Sequence, residues 1–360
     1  MAQLKEFNIP LDGGGIYFTV KELNSIKDLW ESIYYQGPNN YSPFSSYEFI
    51  NLWAHLYKRK RSRRHFSPTF FLYSEQDQNV CIFCFSINHK TKKIVDISCF
   101  GPLDYFDVLS STSDVDFVCR GLVSFLGHYD KYEISFENIN CHSLLHKAFE
   151  KKRLCLNQDI CVHIKLSYHS FQDYLFALSK HQRQNYRTAI NRITKDQKTV
   201  SFTVFSKKEG KISFLLWIKC IIIYIKRTLS KNHISESNIK TILSIIRKNI
   251  FDPINWIPKL NQHLIFVLFI NKTPVGYCAC LHEPSSNTIF IPRIAFDEKY
   301  QRYDPGNSLI YRIIDYSIKE GIKIVDLTRG DERYKYMLGG EEHQNYSFQG
   351  YCCDLINKLL

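Results

Sequence analysis

The alternation of apolar and polar positions predicts two copies of one order of elements along the chain. The first copy is predicted to run as a strand, two helices, three strands, a helix, a strand, a helix and a strand. These elements lie near 16–20, 20–34, 46–57, 69–73, 80–87, 93–100, 113–126, 132–136, 143–152 and 160–166. A long basic helix, 170–194, follows them.

The second half repeats this order. Its elements are predicted near 199–205, 212–227, 236–248, 263–270, 274–282, 288–296, 308–319, 322–327, 332–337 and 345–351. We therefore expect a mixed α/β (α+β) fold of two tandem modules, 1–166 and 167–360, each with a mostly antiparallel central sheet flanked by helices. A single large α/β domain is the alternative.

Composition supports two packed cores, since 44% of the 360 residues are hydrophobic and 15% are aromatic. The formal net charge of +12 favours a polyanionic partner such as a phosphate-bearing cofactor, a nucleotide-linked substrate, nucleic acid or an anionic membrane. A solvated basic surface explains the charge equally well. The run from Lys58 to Arg64 holds six cations in seven residues and either grips RNA or forms a solvated basic loop.

Cysteine placement and the hydropathy of the chain bear on its location. The twelve cysteines lie in apolar segments, as Cys81 and Cys84 do, and are expected to be reduced core residues rather than disulfides or metal ligands. The polar amino terminus is unlike a signal sequence, and the most hydrophobic helix is shorter than a membrane span. We expect a cytoplasmic protein without a membrane span or a metal.

Charge is densest directly after the strand predicted at 322–327. Arg329, Asp331, Glu332, Arg333 and Lys335 follow one another there at the carboxyl edge of the sheet, where open α/β sheets bind ligands. The structural alternative is that these carboxylates only pair with the neighbouring cations and fix the loop.

Two upstream features suggest a binding slot. Pro292 interrupts a good strand, and because proline cannot donate to the sheet ladder, the strand is at an edge, bulged or splayed from its neighbour. Splaying exposes backbone amides to an extended ligand or an oxyanion. A turn with Arg302 and Gly306 then leads into a helix whose amino terminus offers N–H groups to phosphate. An ordinary edge proline and an ordinary capped turn remain the alternatives.

The segment from Arg329 to Lys335 resembles the Arg-Gly-Asp-Glu-x-Tyr-Lys motif of the GNAT-type acyltransferase subgroup called CelD-like or FemAB-like. The match to that motif is complete, whereas similarity elsewhere is loose. Looser resemblances lie at 101–107, the family's acidic motif; at 178–187, its basic helix; and at 296–300 and 305–309. The resemblance covers most of 41–350.

The resemblance implies a pair of GNAT modules and acyl transfer from acetyl-CoA or another acyl-CoA to an amine. The pantetheine arm would lie along Ile294, Ala295 and Phe296 in the slot. The pyrophosphate would lie on the loop and helix start formed by Arg302, Gly306, Asn307 and Ser308. The usual GNAT phosphate loop has two glycines, and the chain departs from it because only Gly306 is present, beside Pro305.

Roles follow from what acyl transfer requires: loss of an amine proton, stabilisation of an oxyanion and protonation of the leaving thiolate. Asp104 and Asp107 are expected to hold an ammonium and accept its proton, with Asp331 as a further catalytic carboxylate. Lys335 suits a phosphate or an oxyanion, and Tyr334 or Tyr336 would protonate the thiolate. The residues expected to contact substrate are Tyr105, Arg293, Arg329 and Glu332.

We therefore expect an N-acyltransferase whose acceptor lies between the modules. The preferred acceptor is a nucleotide-linked amino sugar destined for surface polysaccharide, as the family's pathways imply. One alternative is an aminoacyl-tRNA-dependent transferase acting on a peptidoglycan precursor, as in FemX relatives. Another is a non-catalytic module that binds polyanions.

Overall fold

The computed structural model describes residues 14–57, 65–75, 79–100, 103–231, 239–250 and 252–360. The basic run 58–64 and the first two residues of the acidic motif, Gly101 and Pro102, lie outside the described residues. The chain divides into two compact units. One combines Met1–Ile160 with His343–Leu360, and the other is Cys161–Glu342.

The first unit is a mixed sheet with helices. Its sheet follows the order β1, β2, β3, β4, β6, β13, in which β4 and β6 are parallel and the other neighbours are antiparallel. The strands are β1 (Gly14–Thr19), β2 (Ser67–Glu75), β3 (Asn79–Asn88), β4 (Lys93–Asp96), the short β5 (Leu109–Ser110, beside β3), β6 (Glu133–Asn140) and β13 (Glu341–Tyr351). The helices are α1 (Lys27–Gln36), α2 (Tyr47–Tyr57), α3 (Val115–Leu126), α4 (Leu144–Lys151) and α11 (Cys352–Leu359).

Aromatic packing dominates the core of this unit. Phe125 on α3 stacks on Phe85 of β3, with ring centroids 4.3 Å apart, and contacts Phe71 of β2 at 5.3 Å. Trp30 is fully buried and donates its indole N–H to the main-chain oxygen of Ser45. Such large rings bury enough apolar area to fix the sheet against its helices.

The second unit has the same architecture. Its sheet follows the order β7, β12, β11, β10, β9, β8, in which β11 and β12 are parallel and the rest are antiparallel. The strands are β7 (Asn157–Lys165), β8 (Val200–Ser206), β9 (His263–Ile270), β10 (Thr273–Glu283), β11 (Thr288–Phe296) and β12 (Ile324–Arg329). The helices are α5 (Phe171–Ala177), α6 (Lys180–Lys195), α7 (Phe214–Lys231), α8 (Ile239–Ile250), α9 (Pro305–Lys319) and α10 (Arg333–Met337).

Helices cover both faces of this sheet. Leu309 and Ile313 of α9 join Cys278 of β10 in one buried apolar core. The preceding residue, Tyr277, packs edge-on against Trp217 of α7, with ring centroids 5.5 Å apart. Because successive strand residues point to opposite faces, α7 and α9 flank opposite faces of β10.

The predicted fold is confirmed: both units are mixed α/β with a mostly antiparallel sheet and helices, and the predicted order of elements recurs. The last strand of each copy differs from the prediction, because most of it belongs to the other unit. Residues of β7 from Cys161 onward pair with β12 in the second unit, and residues of β13 from His343 onward pair with β6 in the first. The division thus ends the first segment at Ile160 rather than at residue 166 and returns the last eighteen residues to the first unit.

The continuous helix predicted at 170–194 is wrong, because the chain breaks into α5 and α6 at Leu178 and Ser179. The Ser179 hydroxyl accepts the N–H of Gln182, which starts a new helix. The sequence did not predict α11. Among the described residues, no helix has both the length and the hydropathy needed to cross a bilayer.

Candidate active site

The parallel strands β11 and β12 pair over only three residues and then diverge. The last paired residues are Phe290 and Asp326. Directly beyond them, Ile291 and Pro292 of β11 form a bulge opposite Cys280 of β10. The absence of an N–H on proline and the extra residue in the bulge both end regular pairing. Of the three arrangements predicted around Pro292, an edge, a bulge or a splayed strand, the structure has a bulge and separation from β12.

The opposite strand bulges at the same level. The register of β12 against β7 shifts between Asp326 and Arg329, so that two residues of β12 lie opposite one residue of β7. Thr328 adopts a left-handed conformation with φ of 56°, and its N–H donates to the Asp326 carboxylate at 2.7 Å. Its hydroxyl donates to the Ile291 carbonyl at 3.4 Å, which joins the two strands where they separate. We call the opening beyond this point the slot; it lies between Ile291–Phe296 and Leu327–Arg329.

Lys335 lies beneath the turn that follows β12 and is 2% exposed. Its ammonium donates to the main-chain oxygens of Thr328 at 3.2 Å, Arg329 at 2.6 Å and Gly330 at 3.1 Å. The Glu332 carboxylate is 3.1 Å from the same nitrogen. An ammonium has three donors, and these contacts use them all. Lys335 therefore holds the turn in place.

Gly330 occupies the tightest position of this turn. Its φ is 106°, a conformation that L side chains rarely adopt, and an added Cβ would meet the Glu332 carboxylate at 2.5 Å. Asp331 and Glu332 are exposed on the turn. The charged stretch is thus a loop in which Lys335 fixes the backbone, the Glu332 carboxylate pairs with Lys335, and Asp331 is exposed.

Tyr334 lies near the β11 side of the slot, since Arg227, which acts on the pKa of Tyr334, donates to the Ile294 carbonyl. It packs, partly buried, against the apolar core that contains Cys278, and Ile294 of β11 packs against the same core. Burial is the main cause that raises its pKa above the usual range, although the Arg227 guanidinium acts in the opposite direction. The phenol therefore keeps its proton at neutral pH. Tyr336 instead donates to Glu342 at 2.7 Å, and this hydrogen bond raises the pKa of Tyr336 to about 12.

Arg227 is a site residue that the sequence reasoning missed. Its guanidinium donates to the Ile294 carbonyl at 3.1 Å and stacks on the Phe296 ring at 4.1 Å. It lies on the same face of α7 as the buried Trp217 and Cys220. A cation on the buried face of an amphipathic helix is unusual, and this pattern is the feature by which the sequence could have revealed it.

The side chains of the predicted phosphate loop bond to one another. Asp304 has a left-handed φ of 51° and its carboxylate accepts the Asn307 amide at 3.1 and 2.9 Å. Arg302 is 3.1 Å from Asp196. A Cβ at Gly306 would meet the Phe296 ring at 3.0 Å, so this glycine lets α9 approach β11 closely. Asp304 thus places a carboxylate beside the α9 amino terminus, which does not suit a pyrophosphate bound in the ordinary GNAT manner.

Arg293 lies on the opposite face of β11 from Ile294. It is buried, donates to Asp252 and Asn255 at 2.5 Å each, and stacks on the Tyr224 ring at 3.9 Å. These contacts tie α7 and the 3-10 helix Pro253–Lys259 to the sheet. Ala295, which lies between Ile294 and Phe296, is fully buried.

The acidic candidates of the first unit cap backbone groups. The Asp107 carboxylate accepts the N–H groups of Val108, Leu144 and Leu145 at 2.8 to 3.1 Å, at the start of α4. Removal of this carboxylate from water raises its pKa to about 7, although the three N–H groups favour the charged form. Asp107 and Tyr105 line a small, mostly apolar cavity.

Asp104 is buried, and its main-chain oxygen accepts the Asn345 amide at 2.6 Å. Tyr105 is hydrogen-bonded to His343 at 3.0 Å. The structure therefore brings Asp104, Tyr105 and Asp107 together in the first unit. The remaining site residues predicted from the sequence, from Arg293 to Lys335, lie in the second unit. Their catalytic and binding roles stay predictions.

Comparison with known proteins agrees with this geometry. Residues 259–336 match the acetyltransferase (GNAT) domain family. The fold is similar to a conserved protein of unknown function from Bacteroides thetaiotaomicron, with 11% identity, a TM-score of 0.52, and 92% of this chain and 97% of that one covered. It is also similar to L-PGS from Bacillus licheniformis, with 11% identity, a TM-score of 0.52, and 92% and 96% covered.

A tandem GNAT protein from the clavulanic acid biosynthesis pathway matches with 6% identity and a TM-score of 0.49, covering 95% of this chain and 99% of that one. No curated protein matches the chain significantly. The matched domain covers β9 to α10, including both strands of the slot and Tyr334. The second unit therefore contains a stretch, residues 259–336, that is similar to the acetyltransferase (GNAT) domain.

Proposed function

We propose that the protein is an N-acyltransferase that binds the acyl donor in the slot of the second unit and transfers the acyl group to the amine of a small acceptor. One observation carries the proposal. The parallel strands β11 and β12 separate after Phe290 and Asp326, with a bulge in each strand at the same level. An extended donor arm can add to the unpaired edge of β11 and bring its thioester beside Tyr334.

The chemistry forms one C–N bond and breaks one C–S bond. The neutral amine attacks the thioester carbonyl, and its proton passes to a carboxylate. Asp331, exposed on the turn of the second unit, is the candidate base. Tyr334 is the proposed proton donor to the departing sulfur, because a phenol carries its proton at neutral pH.

Lys335 acts in this proposal by positioning. Its donors are committed to three carbonyls of the turn and to Glu332, so it sets the path of the chain between Thr328 and Tyr334. Arg227 holds the β11 wall of the slot through Ile294 and Phe296. Residues locked in this way preorganise a site for reaction.

Acetyl-CoA or another acyl-CoA is the proposed donor, with the pantetheine arm along Ile294, Ala295 and Phe296. Because the Asp304 carboxylate lies at the α9 start, the pyrophosphate is proposed to lie away from Asn307 and Ser308. Arg302, which is exposed near that helix start and pairs with Asp196, is the cation proposed to meet it. A nucleotide-linked amino sugar is the proposed acceptor, since the net charge of +12 favours a diphosphate.

The second candidate is transfer from aminoacyl-tRNA. The position of the Asp304 carboxylate favours this candidate, since an aminoacyl ester needs no pyrophosphate site at the helix start where Asp304 lies. The exposed cations of α6, among them Lys180, Arg187 and Lys195, offer contacts to RNA phosphates.

The test is thiol release from acetyl-CoA with a panel of nucleotide-linked amino sugars, run in parallel with radiolabelled aminoacyl-tRNA. Acceptor-dependent thiol release that Tyr334→Phe abolishes supports the proposed function. Absence of thiol release with every acceptor, together with transfer of the label from tRNA, identifies the second candidate instead. If neither acetyl-CoA nor aminoacyl-tRNA gives transfer, the proposal that the protein is an acyltransferase is wrong.

A further inference from the structure

An outward-facing stripe of apolar and basic side chains runs along α7. Leu215, Lys219, Ile222, Lys226 and Leu229 recur at alternating spacings of four and three residues, so they share one side of the helix. Leu215, Lys219, Ile222 and Lys226 are exposed, and Leu229 is partly exposed. The opposite side carries Trp217 and Cys220, which are buried against the sheet.

The start of α7 presents two large apolar side chains to solvent. Phe214 is 75% exposed and Leu215 is 73% exposed. Exposing large side chains next to each other is unfavourable in water, and such patches mark interaction sites. We call the set formed by Phe214, Leu215, Lys219, Ile222 and Lys226 the α7 face.

The adjacent helix α8 has the same character. Leu243, Ile246 and Arg247 are exposed on one side of it, again with apolar and basic residues together. The sequence of α7 holds four Lys or Arg residues and that of α8 holds three, and neither helix contains Asp or Glu. The pair of helices is therefore purely cationic and carries its exposed apolar residues among those cations.

We propose that the α7 face docks the protein onto an anionic membrane surface. A basic amphipathic helix lies in the plane of the interface with its apolar side chains among the acyl chains and its lysines at the headgroups. Phe214, Leu215 and Ile222 would insert, whereas Lys219 and Lys226 would contact anionic headgroups.

The charge of the α7 face favours an anionic membrane over a second copy of the chain as its partner. Two copies joined through the α7 face would bring lysines against lysines with no carboxylate on α7 or α8 to pair them. Nucleic acid would use the lysines but leave the apolar side chains in water. An anionic lipid surface satisfies both sets of side chains. This inference does not depend on the proposed acyltransferase function.

The test is co-sedimentation of the full chain with phosphatidylcholine vesicles, with and without phosphatidylglycerol. We expect binding to the anionic vesicles only, and weaker binding as salt is raised. Lys219→Glu/Lys226→Glu should weaken binding at least about tenfold, because each lysine near an anionic surface contributes about 1 kcal/mol. Leu215→Ser/Ile222→Ser, which leaves the charge unchanged, should also weaken it.

The matched control is Lys180→Glu/Lys195→Glu, which makes the same change of net charge on the exposed side of α6. This variant should bind vesicles as the wild type does. Equal loss of binding in the control and the α7 variants would overturn the proposal, because it would show that charge alone governs binding. Wild-type protein that stays in the supernatant, or that dimerises through this face in solution, would overturn it as well.

Discussion

The ammonium nitrogen of Lys335 lies 2.6 Å from the main-chain oxygen of Arg329. Two further carbonyls of the same turn, those of Thr328 and Gly330, accept from this ammonium. The lysine of the Arg-Gly-Asp-Glu-x-Tyr-Lys motif is thus an internal brace for a turn that contains two left-handed residues. That turn leads directly into α10, which carries Tyr334.

Lys335→Ala is expected to destabilise the protein, because it leaves buried carbonyls without a donor. We expect the free energy of unfolding to fall by about 2 to 3 kcal/mol. Urea denaturation measures this loss. The control is Lys319→Ala, which removes an exposed lysine paired with Asp315 and should change stability by no more than about 0.5 kcal/mol. Equal stability of Lys335→Ala and wild type would rule out the brace.

Tyr334→Phe is expected to lower kcat about a hundredfold, because it removes the proton proposed for the leaving sulfur. The melting temperature should stay close to that of the wild type, since the ring remains. Tyr336→Phe is the matched control, because its hydroxyl is bonded to Glu342 instead of facing the slot. If both variants lose kcat equally, or if Tyr334→Phe retains full activity, Tyr334 is not the acid.

Arg227→Lys is expected to raise KM for the acyl donor about tenfold while changing kcat little. The lysine cannot both stack on Phe296 and donate to the Ile294 carbonyl as the planar guanidinium does. Steady-state kinetics with varied donor concentration measures the effect. Arg187→Lys, an exposed change on α6, serves as the control. An unchanged KM in the Arg227 variant would exclude Arg227 from the donor site.

Asp304→Asn is expected to tighten binding of acetyl-CoA relative to acetyl-pantetheine, which has no pyrophosphate. The change removes a negative charge from the α9 amino terminus while keeping the partner of Asn307. Isothermal titration of both donors with wild type and variant gives the ratio of affinities. A ratio that does not change would show that the Asp304 charge does not keep the pyrophosphate away from the α9 start.

Asp96 provides a test of pH dependence. Burial raises its pKa to about 7, against the N–H groups of Ser98 and Glu137 that bond its charged form. Its folded pKa exceeds its unfolded value of about 4, so its contribution to stability is complete below that value and is lost as pH rises towards 7.

The stability of the wild type relative to Asp96→Asn should therefore fall between about pH 5 and 7, by at most about 1.4 kcal/mol per pH unit. Urea denaturation of both proteins across this range measures the difference, and the comparison cancels the other titrating groups. If the stability of the wild type relative to Asp96→Asn rises with pH, the pKa of Asp96 is lowered by folding and the prediction is wrong.

The sequence predicted most of the strands and the slot because both depend on local patterns. Periodicity marked β9 and β11, and Pro292 marked the bulge where β11 leaves β12. The exchange of β7 and β13 between the units was not predictable, because strand pairing is decided by contacts distant in sequence. The break between α5 and α6 did have a local mark, the Ser179 cap with Gln182 three residues later.

The site was harder to predict than the fold. The motif predicted Lys335 as a site residue, and that role stays a prediction. Its burial under three carbonyls depends on left-handed conformations at Thr328 and Gly330 that no residue pattern shows. The role of Asp304 likewise depends on where its carboxylate points. Arg227 was missed because α7 carries four cations, and the three lysines among them are ordinary exposed residues.

The central claim is that the slot between β11 and β12 holds the acyl donor beside Tyr334. A crystal structure of the protein with bound acetyl-CoA tests this most directly, since the electron-dense sulfur reports where the thioester lies. We expect a pantetheine arm along Ile294–Phe296 with its sulfur within hydrogen-bond reach of the Tyr334 hydroxyl. A sulfur located elsewhere, or a structure at saturating acetyl-CoA with no ligand in the slot, would contradict it.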